Sequence, residues 1–307
     1  MIELWRGNAN AWECDELGHM NVRHYIAKAD EALANLGDAA GLGAVRRENA
    51  TATLIPDAIH IRFLAEARPG VPLTILGGFT EIRESDADVL MIMMHAAAET
   101  PAATYRMRIR HADPRHTHSF PWPRRFHRHA DLLGVETPDF ARPRGIREDR
   151  PLAQPSLEKA DALKLETIGR GRFQPGDMDV FGRMSIDGLI GRISDSVIHF
   201  RGAFPEEWDA HRDGGELATA SALLETRILP RRWPRAGDGY VIRSGLVEAS
   251  DKIRRLVHWV LDPNTGKPWW TCEGVAAPMD LKARKLAPAT PEILAGLQAR
   301  CLSGLGV

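Results

Sequence analysis

The sequence predicts an α+β protein made of two tandem units, each an antiparallel sheet wrapped around one long helix. Three observations lead to this prediction. A segment of the first half recurs in the second half at a nearly constant offset. Each half contains one helix-like pattern of apolar residues. A run of strand-like segments follows each pattern, and one helix followed by several strands is typical of an α+β architecture.

The repeat consists of matching positions in a fixed order. The stretch ECDELGHMN begins at Glu13 and its counterpart DMDVFGRMS begins at Asp177, an offset of 164 (177 − 13). Further on, RFLAEARP begins at Arg62 and RILPRRWP begins at Arg227, an offset of 165 (227 − 62). Because the offset grows only through short insertions, the pattern indicates a duplicated unit of domain size.

Each predicted helix follows its copy of the motif directly. The stretch NVRHYIAKADEALANLG carries apolar residues at helical spacing and ends at Gly37, a residue type that often ends helices. The stretch MSIDGLIGRISDSVIHF, from Met184 to Phe200, has the same spacing. Its glycines, Gly188 and Gly191, disfavour a helix interior, so they predict close packing against a neighbour.

Strands flank each helix in the same order in both halves. One strand precedes each helix, ELWRGNANAWEC in the first half and LETIGRGRFQP in the second. Four strands follow in each half, and DPNTGKP is a turn signal between the last two of the second half. The predicted strands after the helices are DAIHIRFLAEA, PLTILGGFTEIRE, DVLMIMMHAAAE and ATYRMRIRHA, then LATASALLETRIL, GYVIRSGLVEASD, IRRLVHWVLD and PWWTCEGVAAPM. We expect an N-terminal unit at 1–130, a connector at 131–160 and a C-terminal unit at 161–307.

The composition excludes several classes of protein. Lys and Arg number 40 against 41 Asp and Glu, and this balance argues against nucleic acid as a partner. The longest apolar run, Val89 to Ala98, is too short to span a bilayer, and no secretory leader is visible. The three cysteines, Cys14, Cys272 and Cys301, are odd in number and far apart, which favours reduced thiols. We therefore expect a cytoplasmic protein with no membrane partner.

Two stretches of the first half carry a resemblance to a known family. ECDELGHMNVRHY and the later FLAEARPGVPLTILG resemble the hotdog-fold thioesterases, of both the 4-hydroxybenzoyl-CoA thioesterase type and the acyl-ACP thioesterase type. Since the resemblance covers both halves, it implies a pseudo-dimeric double hotdog. In that family two hotdogs pack side by side into one sheet, with acyl sites at their interface.

The resemblance also implies a set of site residues. Asp15 falls on the family's catalytic aspartate, and His19 and Asn21 fall on the histidine and asparagine of the acyl-ACP type. That type has an asparagine where Leu17 stands here. In the second copy Asp179 remains, whereas arginine and serine replace the histidine and asparagine. The candidate catalytic residues are Asp15, His19, Asn21 and Asp179, and the candidate substrate-binding residues are Gly18, Met20, Tyr25, Gly182 and Arg183.

The chemistry of thioester hydrolysis explains why an acid and a glycine would stand at a helix start. Negative charge develops on the carbonyl oxygen, and a helix N-terminus offers free N–H groups and roughly half a positive charge. Glycine lets a substrate approach the backbone, and we expect the Gly18 N–H to meet the thioester oxygen. Asp15 could activate water or attack directly, and the sequence leaves both routes open. The simpler alternative is that Asp15 only caps the helix.

Further charged residues have two interpretations each. Glu31, inside the first helix, is either an additional carboxylate of the candidate site or a surface residue. An acid on a helix is more often a surface residue. Arg106, Arg108 and Arg110 alternate along one strand face. They could bind coenzyme A phosphates or an acidic carrier protein, or they could be a solvated face. The His-rich stretch before the connector lacks suitably spaced Cys or carboxylate ligands, so we expect no metal site. The four histidines concerned are His116, His118, His127 and His129.

The sequence therefore predicts an acyl-CoA or acyl-ACP thioesterase that needs no cofactor. Two alternatives remain from other functional classes. One is a hotdog protein that binds acyl-CoA without cleaving it, and the other is a hotdog hydratase or dehydratase. The latter would need a differently placed His/Asp pair. We expect a monomer or a homodimer.

Overall fold

A computed structural model describes residues 1–43, 45–149 and 152–307. The chain divides into two compact units. The first comprises Met1–Arg142 with Met178–Gly188, and the second comprises Pro143–Asp177 with Leu189–Val307. Each is built on an antiparallel sheet with a helix, so the predicted tandem double hotdog is confirmed.

The first unit contains one long helix and five antiparallel strands. The strand order in its sheet is β1-β3-β4-β5-β2. The apolar run that begins at Val89 lies in β4, and its residues are buried from Val89 to Met93. The elements are β1 (Ile2–Asn8), α1 (Val22–Ala39), β2 (Thr53–Phe63), β3 (Pro72–Ile82), β4 (Asp86–His95), β5 (Thr100–Ala112) and α2 (Arg124–Ala130).

The second unit repeats this strand order. Its sheet runs β6-β8-β9-β10-β7, with the short β11 on β10. The predicted turn at Asp262 is confirmed, because the Gly266 N–H donates to the Asp262 carbonyl at 2.8 Å. The elements are α3 (Leu157–Ala162), β6 (Glu166–Arg172), α4 (Ile186–Ser194), α5 (Pro205–Arg212), β7 (Thr219–Pro230), β8 (Gly239–Ala249), β9 (Arg254–Leu261), β10 (Pro268–Asp280), β11 (Lys285–Leu286) and α6 (Pro291–Gln298).

Helix α1 buries one apolar stripe, as its spacing predicts. Leu33 and Leu36 are fully buried, and burial of a leucine side chain contributes about 2 kcal/mol. The predicted stop at Gly37 is wrong, because the helix continues to Ala39. A Cβ at Gly37 would lie 3.2 Å from side-chain atoms of Leu54 and Val45, so this glycine serves close packing and not termination.

The second helix is shorter than the sequence predicts. Helix α4 ends at Ser194, and a separate 3-10 turn follows at Val197–His199. Ser196 has a φ of −117° between the two, which departs from helical geometry. The close contact predicted for Gly188 is with a residue four positions earlier and not with a neighbouring element, since a Cβ there would lie 2.2 Å from the Met184 Cε atom.

The first strand also ends earlier than predicted. Strand β1 stops at Asn8, and Ala11–Glu13 form a 3-10 turn. The Asn10 side chain and the Glu13 side chain cap each other's backbone N–H groups around this turn. This reciprocal capping favours a bend over a continued strand.

In the described part of the chain, no helix combines the length and the apolar character that a bilayer crossing requires.

The core of the second unit includes a polar pair. His258 in β9 and Ser244 in β8 are both buried, and the His258 Nδ1 atom lies 2.7 Å from the Ser244 Oγ atom. Burial lowers the pKa of His258 to about 4. The imidazole is therefore neutral in the folded protein at neutral pH.

This histidine predicts acid sensitivity. The pKa of His258 is about 4 when folded and about 6.5 when unfolded, so the unfolded chain binds the proton first as pH falls. The contribution of His258 to the free energy of unfolding is fully present above pH 6.5. It is lost as pH falls toward 4, which lowers that free energy by about 3 kcal/mol. Urea unfolding of wild type and His258→Gln at pH 7, 5.5 and 4.5 measures this loss. Equal losses in both proteins would contradict it.

Candidate active site

The motif that starts at Glu13 folds as a tight loop leading into α1. Cys14 and Met20 pair as an isolated antiparallel bridge at the base of the loop. The Asp15 N–H donates to the His19 carbonyl at 3.1 Å, and the Gly18 N–H donates to the Asp15 carbonyl at 3.0 Å. These bonds hold the Asp15 carboxylate beside the amino end of the helix.

Neutral groups hold the Asp15 carboxylate. The Leu17 N–H donates to Oδ1 at 3.1 Å, and the Asn21 side-chain amide donates to Oδ2 at 3.2 Å. Asn21 also caps α1, because its Oδ1 atom accepts the Arg23 N–H at 3.0 Å. Asn21 therefore caps the helix. The alternative that Asp15 is the cap is wrong, and the Asp15 carboxylate lies outside the cap.

His19 lies next to this carboxylate. Its Nδ1 atom is 3.9 Å from the Asp15 Oδ1 atom, which is beyond hydrogen-bond distance. The Nδ1 atom is buried and has no hydrogen-bond partner among the described residues. The His19 and Asp15 side chains are 22% and 19% exposed. An acid and a histidine with spare hydrogen-bonding capacity thus face each other near the surface.

Gly18 supplies the turn of the loop. Its φ of +76° is in the left-handed region that favours glycine, and a Cβ there would meet nothing within 4 Å. The expected role of its N–H is wrong, because that N–H already donates to the Asp15 carbonyl. Gly18 therefore leaves open space beside the loop, and its N–H is not free to donate to the oxygen of a thioester.

A buried ion pair anchors the start of the loop. Lys28, on the apolar stripe of α1, is 5% exposed, and its Nζ atom lies 2.6 Å from the Glu13 Oε1 atom. The Glu13 carbonyl accepts the Asn21 N–H at 2.9 Å, which ties the pair to the helix start. Burial raises the pKa of Glu13, but hydrogen bonds from Lys28 and the Asn10 N–H outweigh it, so the pKa is lowered overall.

Sequence reasoning missed the role of Lys28. The available signal was a lysine between apolar residues on the buried face of a helix, with an acid 15 positions earlier. The second copy preserves the pair, since Arg192 contacts Asp177 at the repeat-related positions. The Gln174 N–H donates to Asp177 at 2.7 Å, as the Asn10 N–H does to Glu13.

The second loop has the same backbone but a different carboxylate environment. Gly182 again has a positive φ, +70°, and its N–H donates to the Asp179 carbonyl at 3.0 Å. The buried Arg183 donates to Asp179 Oδ2 from Nε at 3.1 Å and from Nη2 at 2.8 Å. The replacement of His19 by Arg183 thus couples this aspartate to a permanent cation.

Two of the predicted substrate-binding residues lie in the core. Met20 is 1% exposed, and its N–H donates to the Ala67 carbonyl at 2.8 Å. Tyr25 is 3% exposed, and its hydroxyl oxygen accepts the Ala67 N–H at 3.1 Å. Burial raises the pKa of Tyr25 to about 12. Both residues fasten the loop to the segment after β2.

The remaining acid and base candidates lie outside the loop network. Glu31 is exposed and accepts the Trp5 indole N–H at 2.9 Å, so the surface interpretation holds. Arg108 pairs with Asp88 at 3.0 Å, and Arg110 pairs with an aspartate of β2 at 2.6 Å. Acids from neighbouring strands therefore neutralise part of the predicted basic face. Among the described residues, no three His, Cys, Asp or Glu side chains form a cluster that could hold a metal ion.

The fold and the duplicated acid loop define a tandem hotdog protein, and comparisons with known proteins give the family. A model of the thioesterase-like superfamily matches residues 9–131 and 173–297. The chain belongs to this superfamily. The comparison with curated proteins finds no match.

Three solved structures share the fold over most of the chain. A protein from Lactobacillus plantarum assigned as an oleoyl thioesterase superimposes with a TM-score of 0.67 at 12% identity, covering 89% of this chain and 94% of that one. A 12:0-ACP thioesterase from Umbellularia californica gives 0.63 at 9%, covering 89% and 93%. An acyl-ACP thioesterase from Bacteroides thetaiotaomicron gives 0.62 at 10%, covering 89% and 96%.

The Glu13–Lys28 pair predicts a stability effect. Lys28→Met leaves the Glu13 carboxylate buried without its cation, so we expect the free energy of unfolding to fall by about 3 kcal/mol. The double variant Glu13→Gln/Lys28→Met removes both charges and should recover most of that loss. Urea unfolding measures both effects. A double variant no more stable than Lys28→Met would show that charge pairing is not the cause.

Proposed function

We propose that the protein hydrolyses acyl thioesters and that the Asp15 loop performs the reaction. Membership of the thioesterase-like superfamily supports the reaction class. The observation that carries the site assignment is the contrast between the two aspartates. Neutral donors hold Asp15, whereas two guanidinium nitrogens of Arg183 hold Asp179. The guanidinium occupies Oδ2 of Asp179 and leaves that oxygen less accessible to water or to a thioester carbonyl, so Asp179 stabilises its loop in this proposal.

The proposed mechanism uses the groups around Asp15. In one route the carboxylate takes a proton from a water molecule, and that water attacks the thioester carbonyl. In the other route the carboxylate attacks the carbonyl itself and forms an anhydride that water then hydrolyses. In both routes the C–S bond breaks, and the thiolate leaves and takes up a proton that originates from the water or the solvent. His19 Nδ1 is buried and accepts or donates no hydrogen bond among the described residues, so it is available to orient the water or the carbonyl. Asn21 orients the carboxylate through its side-chain amide. The amino end of α1 favours the negative charge that develops on the thioester oxygen.

The proposed substrate is an acyl group on coenzyme A or on acyl carrier protein. Two of the structurally similar proteins are named acyl-ACP thioesterases, which supports the carrier-protein form. In this proposal the substrate approaches the loops beside Gly18 and Gly182, which have no side chains to block it. Met20, Tyr25 and Arg183 are buried and hold the loops in position. The cytoplasmic location and the monomeric or dimeric state stay predictions.

A hydrolysis assay over acyl-CoA and acyl-ACP panels tests the proposal. Asp15→Asn should lower kcat/KM by about 10²–10⁴, since a general base contributes that much. Asp179→Asn is the matched control, and it should lower the thermal unfolding temperature while the folded enzyme keeps most of its kcat.

Calorimetric titration with a non-hydrolysable thioether analogue separates catalysis from binding. Asp15→Asn should retain wild-type affinity for the analogue. Full turnover in Asp15→Asn would overturn the site assignment. Binding of the analogue by a wild type that hydrolyses none of the thioesters would instead identify a non-catalytic binding protein.

A further inference from the structure

Two arginines at the end of β7 have buried nitrogen atoms without partners. Arg227 lies in the strand and Arg231 directly follows it. Within the described residues, Nε and Nη1 of Arg227 and Nε and Nη2 of Arg231 are buried and make no hydrogen bond. Neither guanidinium has a carboxylate within the 4.0 Å of an ion pair in that part of the chain. Both arginine side chains are half-buried, and these are the nitrogen atoms shielded from solvent. A shielded donor without a partner is costly, so these atoms call for a ligand.

The arginine next to Arg231 shows that this turn can satisfy a guanidinium. Arg232 donates to the carbonyls of Pro268 and Lys267 at 3.1 Å each, and its guanidinium lies 4.1 Å from the Trp269 ring centroid. Trp270 Nε1 and Thr271 Oγ1, in the strand that pairs with this end of β7, are also buried with no hydrogen bond among the described residues. Buried polar atoms without partners therefore concentrate at this end of the sheet, as a ligand site would require.

The first copy of the repeat shows how such an arginine is normally satisfied. Arg62 is the counterpart of Arg227, and its Nη1 atom donates to the carbonyls of Phe140 and Arg142 at 2.6 and 3.2 Å. The counterpart of Arg231 is an acid, Glu66, at the same offset of 165 (231 − 66). The second copy thus has an extra cation where the first has an anion.

The two guanidinium groups also influence each other. Burial lowers the pKa of Arg231, and the charge of Arg227 lowers it further. Their Cα atoms are four positions apart, at most about 13 Å along an extended strand, a span that two arginine side chains and one anion between them can bridge.

We propose that Arg227 and Arg231 bind the oxyanion of a phosphate group. A guanidinium presents its N–H groups as a fork that matches two oxygens of a phosphate. A phosphate carries between one and two negative charges at neutral pH, so one group neutralises the repulsion between the two cations. The site uses none of the residues of the Asp15 loop, and it does not depend on the proposed hydrolysis.

Thermal unfolding of the full chain in phosphate tests the site. Inorganic phosphate is titrated against sodium chloride of equal ionic strength, and 5′-AMP forms a second arm. Phosphate at ten times its Kd should raise Tm by about 3 °C in the wild type, with saturation. Arg231→Glu restores the acid of the first copy and should abolish the shift, as should the milder Arg231→Gln. Arg62→Met, the repeat-related control, should keep it.

The outcomes separate a site from a general salt effect. Phosphate is excluded from protein surfaces and stabilises many proteins without binding. A non-saturating shift, or an equal shift in the wild type and both Arg231 variants, would overturn the proposal. A larger shift with 5′-AMP than with phosphate would assign the site to a phosphoryl group on a larger molecule. A shift with phosphate alone would assign it to the free ion. Phosphorus NMR line broadening that is lost in Arg231→Glu provides a direct check.

Discussion

The loop that carries Asp15 depends on one buried ion pair. Lys28 places a cation on the apolar face of α1, where the Glu13 carboxylate 2.6 Å away and the Trp5 ring centroid 5.0 Å away offset the cost of burying it. The same Glu13 caps the turn at Asn10 and accepts the Asn21 N–H through its carbonyl. Glu13 thereby links the end of β1, the loop and the start of α1. These contacts fix the loop backbone without using the side chains proposed for catalysis.

The repeat of this pair shows what the duplication preserves. Asp177 and Arg192 replace Glu13 and Lys28, and two backbone hydrogen bonds of the first loop recur in the second, from the Asp179 N–H to the Arg183 carbonyl and from the Gly182 N–H to the Asp179 carbonyl. The side chains around the carboxylate differ, because arginine and serine stand where the first copy has His19 and Asn21. The first carboxylate accepts hydrogen bonds from an amide and a backbone N–H, whereas the second also accepts two from a guanidinium. Similar loop backbones therefore support two different electrostatic environments.

The sequence predicted the fold more completely than the site. The strand-like segments and the repeat located the strands that follow each helix, and the double hotdog was confirmed. Helix ends were less predictable, because Gly37 is used for packing against Leu54 and not as a stop. In the site, the motif located Asp15, His19 and Asn21 together. The motif could not show that hydrogen bonds occupy the Gly18 N–H, since that depends on the loop backbone.

The uncancelled charge of Asp15 has a consequence for ligand orientation. Asp15 and the exposed Glu16 give the first loop a negative electrostatic potential, while Arg183 cancels that of Asp179 in the second. In acyl-CoA, one of the two proposed forms of the substrate, several phosphate charges lie at one end and the uncharged thioester lies at the other. Such a potential repels the polyanionic end and accepts the uncharged one. In the proposed reaction, the loop would therefore sort the two ends of its substrate before any bond is broken.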